Sequence, residues 1–192
     1  MARALLVVDV QNCFINPFTG HVPQRIRHLI ERGDYNPVLY TRFVNYTRFV
    51  NAPDSPYERF LGWHECAGPP ESNLVPELAP LAAPDRVFTK PGFTGIPDEL
   101  AAHLRDLRPE SIAIVGIDTD MCVLKVAMDV FDLGIKPIVL VDCCASTAGL
   151  QAHLAGLAVL ARNIGATQLC SAGLDEGFLG APPETVAQVE SS

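Results

Sequence analysis

The sequence has little positive charge and no basic cluster. Its 192 residues include 14 lysines and arginines against 22 aspartates and glutamates, which gives a formal net charge of −8 at pH 7. Because nucleic acids and anionic membrane surfaces attract basic protein surfaces, this balance argues against either as the main partner. The length suits one domain with a large core and is too short for two ordinary domains.

Long apolar runs are also missing. No stretch approaches the roughly 18 consecutive apolar residues of a membrane span. The first apolar run begins at Ala4, and no charged segment with a cleavage site precedes it, so no secretory signal is recognisable. We therefore predict a cytoplasmic protein that acts on a small molecule, with neither nucleic acid nor a membrane as partner.

The cysteines form no CxxC pair and show no metal-site spacing. In a cytoplasmic protein of this size the default expectation is six free thiols, most of them small apolar core residues. The six are Cys13, Cys66, Cys122, Cys143, Cys144 and Cys170.

Short apolar runs alternate along the chain with segments of helical periodicity. Strands are predicted at 4–8, 38–41, 86–89, 112–115, 138–141 and 166–169, and helices at 23–32, 97–107, 123–133 and 150–163. This alternation predicts an α/β fold with three α/β/α layers around a six-stranded, mostly parallel, doubly wound (Rossmann-like) sheet. The domain is predicted over 1–174, and 175–192 is expected to be an acidic tail or an arm between subunits.

Three chemically distinctive residues follow three different predicted strands. Asp9 and Lys90 lie at strand ends, and Cys122 lies where the turn after the fourth strand becomes a helix. Because ligands bind beyond the carboxyl ends of parallel strands, we expect these three side chains to meet at one edge of the sheet. Taken singly, each has an ordinary structural interpretation as a turn residue, a solvated strand end or a buried thiol. Their shared placement favours one site.

The three residues suit acyl transfer. Cys122 can attack a carbonyl carbon, Asp9 can accept its proton, and Lys90 can stabilise the developing charge. The helix start and Lys90 favour the thiolate, whereas Asp9 favours a proton on sulfur, so we expect the pair to share one proton. Backbone N–H groups of the turn 116–121 can stabilise a tetrahedral oxyanion.

Phosphoryl transfer is an alternative in which Asp9 would accept the phosphoryl group. The turn after Asp9 has no second carboxylate for magnesium, and neither G-x-x-x-x-G-K-[ST] nor G-x-G-x-x-G occurs. A third class is a non-catalytic oligomeric scaffold of the same fold, since fold alone does not establish activity.

Motifs at these residues resemble the isochorismatase-like cysteine hydrolases, a family that includes nicotinamidases and N-carbamoylsarcosine amidase. The resemblance covers roughly 4–170 through ALLVVDVQNCF, FTKPGFTGI and VGIDTDMCV. It implies a catalytic triad of Asp9, Lys90 and Cys122, and a cis peptide bond between Ile117 and Asp118. It also implies that the backbone N–H groups of Asp118 and Cys122 form the oxyanion hole.

The sequence departs from the family where some members bind a metal. Metal-binding nicotinamidases carry Asp-x-His after the second strand with another histidine nearby, whereas this chain has Thr41-Arg42-Phe43-Val44-Asn45. We therefore predict no metal and no other cofactor. His64 is a lone candidate ligand, but a surface or hydrogen-bonded histidine is the better interpretation.

The substrate pocket is predicted from apolar residues near the three motifs. Candidates are Phe14, Trp63, Phe93 and Ile117, with Phe60 as a weaker one, and ordinary core or lid packing is the alternative for each. Near the cysteine, Thr119 is a candidate N-cap, and Asp118 and Asp120 suit a helix start.

We predict a metal-independent cysteine hydrolase that cleaves a C–N bond of an amide, ureide or carbamoyl compound through a Cys122 thioester. A vinyl-ether hydrolase of the isochorismatase type is the alternative activity. The hydrophobic content, the long proline-punctuated segment and the family resemblance predict a homodimer or homotetramer.

Overall fold

The computed structural model describes residues 3–45, 54–93 and 95–174. These residues form one all-parallel sheet with the strand order β3-β2-β1-β4-β5-β6. The strands are β1 Arg3–Val8, β2 Tyr35–Phe43, β3 Val87–Lys90, β4 Ser111–Ile117, β5 Lys136–Ala145 and β6 Leu169–Cys170. The predicted α/β fold is confirmed.

Both faces of the sheet are covered, as continuous apolar strands require. Alternate residues of β1 point to opposite sides: Leu6 and Val8 pack in one apolar cluster, and Leu5 and Val7 pack in the other. The helices are α1 Val22–Glu31, α2 Pro56–Leu61, α3 Asp98–Leu107, α4 Leu124–Asp132 and α5 Leu150–Leu160. Helices α3, α4 and α5 contribute to the first cluster and α1 to the second, which gives three layers.

The strand order reverses between β1 and β4, and this is where doubly wound sheets form their binding crevice. Gly116 of β4 pairs with Val8 of β1. A Cβ atom on Gly116 would lie 2.1 Å from the backbone oxygen of Val8, and its φ of +133° also favours glycine. Glycine at this position therefore lets the two strands that lead into the site approach closely.

Three segments differ from the prediction. Strand β6 has two residues, because 166–168 form a 3₁₀ turn before it. A wide helical turn, Thr119–Val123, precedes α4. Helix α2 lies inside the connection predicted to be irregular, and it begins with a capping box formed by Ser55 and Glu58.

The expectation of six free thiols is wrong. Cys13 and Cys66 form a disulfide across a sequence separation of 53 residues. The physical reason is tertiary: the loop after β1 and the loop after α2 are both anchored to Glu71, whose backbone oxygen and carboxylate accept hydrogen bonds from the N–H groups of Cys13 and Cys66. Nothing in the spacing of the two cysteines indicates this approach.

No helix in the described residues is long and apolar enough to cross a membrane. The predicted tail, 175–192, lies outside the described residues, and the domain boundary at 174 stays a prediction.

Candidate active site

A buried ion pair lies at the carboxyl edge of the sheet. Lys90, the last residue of β3, places its Nζ 2.7 Å from Oδ2 of Asp9, and neither side chain is exposed to solvent. Thr41 of β2 donates a 2.7 Å hydrogen bond from Oγ1 to Oδ1 of Asp9. The carboxylate is thereby fixed from two neighbouring strands, as the strand-end argument predicts.

Cys122 is a free, partly buried thiol beside this pair. Asp9 and Lys90 are both near enough to the thiol to shift its pKa. Burial raises the pKa of the Cys122 thiol well above its ordinary value, and the negative charge of Asp9 raises it further, while Lys90 works in the opposite direction. The three residues predicted from strand ends are thus brought together.

Opposing influences act on the proton of Cys122. Lys90 and the helix start favour a thiolate, but removal of the sulfur from water and the charge of Asp9 outweigh them, so the proton stays on Cys122. Burial works against the charged form of Lys90, yet the attraction of Asp9 exceeds this effect and raises the lysine pKa. Both shifts favour the protonated forms of Lys90 and Cys122 in the resting site.

The turn that precedes Cys122 has the backbone geometry implied by the family resemblance. The peptide bond between Ile117 and Asp118 is cis. The backbone oxygen of Asp118 accepts hydrogen bonds from the N–H groups of Met121 (3.2 Å) and Val123 (2.9 Å), so the chain wraps closely around the cysteine.

Asp118 is nearly buried and lines the same cavity as Cys122. Its carboxylate accepts hydrogen bonds from the backbone N–H of Thr147 (2.6 Å) and from Thr147 Oγ1 (2.9 Å). Burial raises the pKa of Asp118 to about 6, although the hydrogen bonds from Thr147 act in the opposite direction.

Thr119 does not act as the predicted N-cap. Asp118 occupies the N-cap position of the wide turn, without a side-chain capping bond. Instead, Oγ1 of Thr119 lies 2.7 Å from Nδ1 of His153 on α5. The hydroxyl of Thr119 thus contacts helix α5, which packs against the turn.

The thiol opens into a cavity of about 440 Å³ with a wall of aromatic rings. Phe14 and Trp63 are stacked with ring centroids 6.2 Å apart, and Tyr57 lies 5.2 Å from Phe43 and 5.0 Å from Phe93. Three of the predicted pocket residues, Phe14, Trp63 and Phe93, line this cavity. Phe43 and Tyr57 were missed, although Phe43 ends β2, where a side chain at the carboxyl edge of the sheet is to be expected.

Two other predicted pocket residues lie elsewhere. Ile117 is fully buried in the core cluster that packs against α1 and does not line the cavity. As the last residue of β4, it follows the alternation of its strand and points away from the thiol side. Phe60 is 73% exposed on α2, under the guanidinium of Arg59.

The residues at the family's metal positions have other partners. Phe43 packs among the aromatic rings, and the Asn45 amide donates to the backbone oxygens of Trp63 and Glu65. His64 is exposed and lies 3.7 Å from Glu58. No cluster of three or more histidine, cysteine, aspartate or glutamate side chains suited to a metal occurs within 3–45, 54–93 and 95–174. The residues present at this position do not fit a metal.

Comparison with known proteins identifies the family. The isochorismatase domain matches residues 3–172. A nicotinamidase/pyrazinamidase from Mycobacterium tuberculosis (strain ATCC 25618 / H37Rv) is 32% identical over 170 residues, which cover 78% of this chain and 88% of that protein. The solved N-carbamoylsarcosine amidase from Thermoplasma acidophilum is 29% identical with a TM-score of 0.73, over 92% of this chain and 100% of that one. The nicotinamidase PncA from Bacillus subtilis, 23% identical with a TM-score of 0.70 over 89% of this chain and 100% of its own, shares the fold. This chain belongs to the isochorismatase domain family of hydrolases.

Proposed function

We propose that this protein is a cysteine amidohydrolase that cleaves a C–N bond of a small amide, ureide or carbamoyl compound, with Cys122 as the nucleophile. The observation that carries the proposal is the free thiol of Cys122 beside the buried Asp9–Lys90 ion pair, at the base of a cavity large enough for a small planar molecule. Relatives named nicotinamidase/pyrazinamidase and N-carbamoylsarcosine amidase support a C–N bond as the target.

In the proposed acylation, Asp9 takes the proton from Sγ of Cys122 as the sulfur attacks the carbonyl carbon. The negative charge moves to the carbonyl oxygen, where the backbone N–H groups of Asp118 and Cys122 are the proposed donors. Asp9 then gives the proton to the leaving nitrogen, which departs as the C–N bond breaks and a thioester remains.

Deacylation uses the same groups. Asp9 removes a proton from water as the water oxygen attacks the thioester carbon, and the proton passes to sulfur as the C–S bond breaks. Lys90 stays protonated and stabilises negative charge on sulfur in both steps. Its raised pKa suits this role, because an ammonium that remains charged needs no proton exchange during the cycle.

The proposed mechanism uses no metal. Phe43 and Asn45, at the family's metal positions, serve the aromatic wall and the loop that carries Trp63. The proposal is favoured over a non-catalytic scaffold because burying the ion pair Asp9–Lys90 costs desolvation energy that well-packed apolar residues would avoid. A catalytic role for both charges explains why the ion pair is buried despite this cost.

The test is a panel of small primary amides, ureides and carbamoyl compounds assayed for ammonia release, together with the intact mass of the protein during turnover. We expect at least one compound to be hydrolysed, with an acyl adduct on Cys122. Cys122→Ala should lose turnover by at least about 10³-fold while its circular dichroism matches that of the parent. A chelator should leave the rate unchanged.

Two results would overturn the proposal. Hydrolysis at the parental rate by Cys122→Ala would remove the thioester. Activity lost to the chelator and restored by zinc or iron would show that a metal takes part.

A further inference from the structure

Among the described residues, the charged side chains that line the cavity are all negative. Glu65 at the mouth and Asp118 beside the thiol are the charged side chains that line it, and no lysine, arginine or histidine of the described residues does so. The cavity therefore offers carboxylates and aromatic rings to a bound molecule, but no cation to pair with an anion.

The positive charge closest to the reacting sulfur is not available to a substrate. Lys90 is fully buried, and its ammonium is already paired with Asp9 at 2.7 Å. Its partners, Asp9 and Cys122, both belong to the proposed chemistry. A negatively charged group on the substrate would thus be repelled by Glu65 and Asp118, and no available cation of the described cavity lining would offset that repulsion.

Asp118 lines the cavity, and its carboxylate is held by Thr147. Thr147 donates both its backbone N–H and its hydroxyl to the two oxygens. These two bonds leave acceptor capacity on each oxygen, since a carboxylate has about four lone-pair sites. With a pKa of about 6, Asp118 is mostly ionised at neutral pH.

The aromatic wall also favours a positively charged ligand. The faces of Trp63, Tyr57 and Phe43 carry negative quadrupole potential, which attracts ammonium groups. The net charge of the whole chain, −8, also steers cations towards the protein and repels anions.

We propose that this site selects positively charged substrates over neutral ones and rejects those that carry a carboxylate, with Asp118 and Glu65 as the residues that set this preference. The inference rests on the proposed function and names the substrate class of the same site: a small, planar amide, ureide or carbamoyl compound with an amine on its body. The amine contacts the carboxylates and rings while the scissile carbonyl group faces Cys122.

Protection of Cys122 from iodoacetamide tests the preference without requiring turnover. The probes are benzylamine, benzyl alcohol and benzoate, which have one ring each and a charge of +1, 0 and −1 at pH 7.5. We expect benzylamine to half-protect at a concentration about tenfold below that of benzyl alcohol and about 100-fold below that of benzoate. High salt should reduce these differences in half-protection concentration, mainly because it screens the exposed charge of Glu65.

Variants identify the residues responsible. Asp118→Asn and Glu65→Gln should each lower the ratio between benzoate and benzylamine half-protection concentrations by at least about threefold. Asp106→Asn removes the same charge from an exposed position on α3, away from the cavity, and should leave the ratio unchanged. The ratio compares two probes on one protein, so a general loss of folding or of thiol reactivity does not mimic the effect.

Benzoate protecting as well as benzylamine, or equal protection by all three probes, would overturn the charge preference. The assignment to Asp118 and Glu65 would be overturned if both variants kept the parent's ratio between benzoate and benzylamine half-protection concentrations. Failure of the proposed function has a different signature: the probes protect in the expected order, yet no amine-bearing, neutral or carboxylate-bearing amide forms an adduct on Cys122. Turnover of carboxylate-bearing amides in preference to amine-bearing ones would leave the hydrolase standing and remove this inference.

Discussion

At the scale of single residues, the site depends on how Asp9, Lys90 and Cys122 divide their protons. Burial raises the pKa of the thiol most, and Asp9 raises it further. Asp9→Asn removes that negative charge, so the thiol pKa should fall while still staying above that of an exposed thiol. Iodoacetamide alkylation follows the thiolate fraction, and at pH 8 it should speed up by about tenfold. Turnover should nevertheless collapse, because no group delivers the proton to the leaving nitrogen.

Lys90→Met should act on the thiol in the opposite direction. Loss of the ammonium raises the thiol pKa further, so alkylation at pH 8 should slow down. This variant leaves Asp9 buried without its partner, which can unfold the protein. The double variant Asp9→Asn/Lys90→Met, which buries no lone charge, serves as the folded control. An Asp9→Asn protein that alkylates and turns over as the parent does would show that Asp9 is only a turn residue.

Asp118 should make the stability of the fold depend on pH. Its folded pKa of about 6 exceeds the ordinary value of 3.8, mainly through burial. Its stabilising contribution is therefore fully present below about pH 4 and is lost as the pH rises through 6. Asparagine does not ionise, so Asp118→Asn removes this loss. The free energy of unfolding of the variant, relative to that of the parent, should therefore be higher at pH 8 than at pH 4.5 by on the order of 1–3 kcal/mol. Urea unfolding at both pH values measures it, and an equal difference at the two would contradict the assignment.

Residue identities were predictable where backbone topology alone places them. Asp9, Lys90 and Cys122 follow parallel strands, and all such strand ends meet at one edge whatever the side-chain packing. Ile117 was placed wrongly because one residue of register along β4 moves a side chain from the cavity to the core. The disulfide between Cys13 and Cys66 depends on two loops meeting, and neither loop has a periodicity that reveals its path.

At the scale of secondary-structure elements, helix α5 is the support of the turn that carries the nucleophile. Gly156 packs so closely on that turn that a Cβ atom there would lie 2.8 Å from the Cα and N of Asp120. Alanine at 156 must displace the turn even though it favours a helix by about 1 kcal/mol. We expect Gly156→Ala to lower turnover at least tenfold and to lower the melting temperature. Gln151→Ala, on an exposed turn of the same helix, is the matched control. Parental activity in Gly156→Ala would show that the turn tolerates displacement.

The cap of helix α2 should affect substrate binding more than chemistry. Ser55 accepts a 3.2 Å hydrogen bond from the N–H of Glu58 and also donates to Oδ1 of Asn45, whose amide holds the loop of Trp63. Ser55→Ala should cost about 1–2 kcal/mol of stability and raise KM with a smaller change in kcat, because the cavity wall loosens. Glu58→Gln keeps the reciprocal half of the capping box and should stay close to the parent. A fall confined to kcat would assign Ser55 a role in the reaction instead.

The elements themselves were predictable where apolar runs are uninterrupted or caps are explicit. Strands β1 and β4 were recognised because both of their faces are buried. The wide turn Thr119–Val123 and the short β6 escaped prediction, because local propensity does not distinguish one type of helical turn from another. Helix α2 was missed although its Ser-Pro-x-Glu start carries a capping signal, since the surrounding prolines indicated irregular structure.

At the scale of the whole molecule, helices α4 and α5 leave apolar side chains in contact with solvent. The exposed fractions are 36% for Met128, 50% for Phe131, 47% for Leu154 and 43% for Val159. Helix α5 is apolar nearly all round, and such a helix is normally buried. A second copy of this chain would cover these side chains and remove their area from water, which stabilises association by about 25 cal/mol per Å² before the costs of association.

We therefore expect a homodimer or homotetramer in which this face is covered. Light scattering at micromolar concentration should give two or four times the 20.8 kDa of one chain. Leu154→Lys should shift the distribution towards the single chain, because a buried lysine without a partner opposes association. Leu107→Lys makes the same change at a 38% exposed position on α3 and should leave the mass unaltered. A parent that scatters as one chain would contradict the assembly, and an oligomer that survives Leu154→Lys would place its interface on another face.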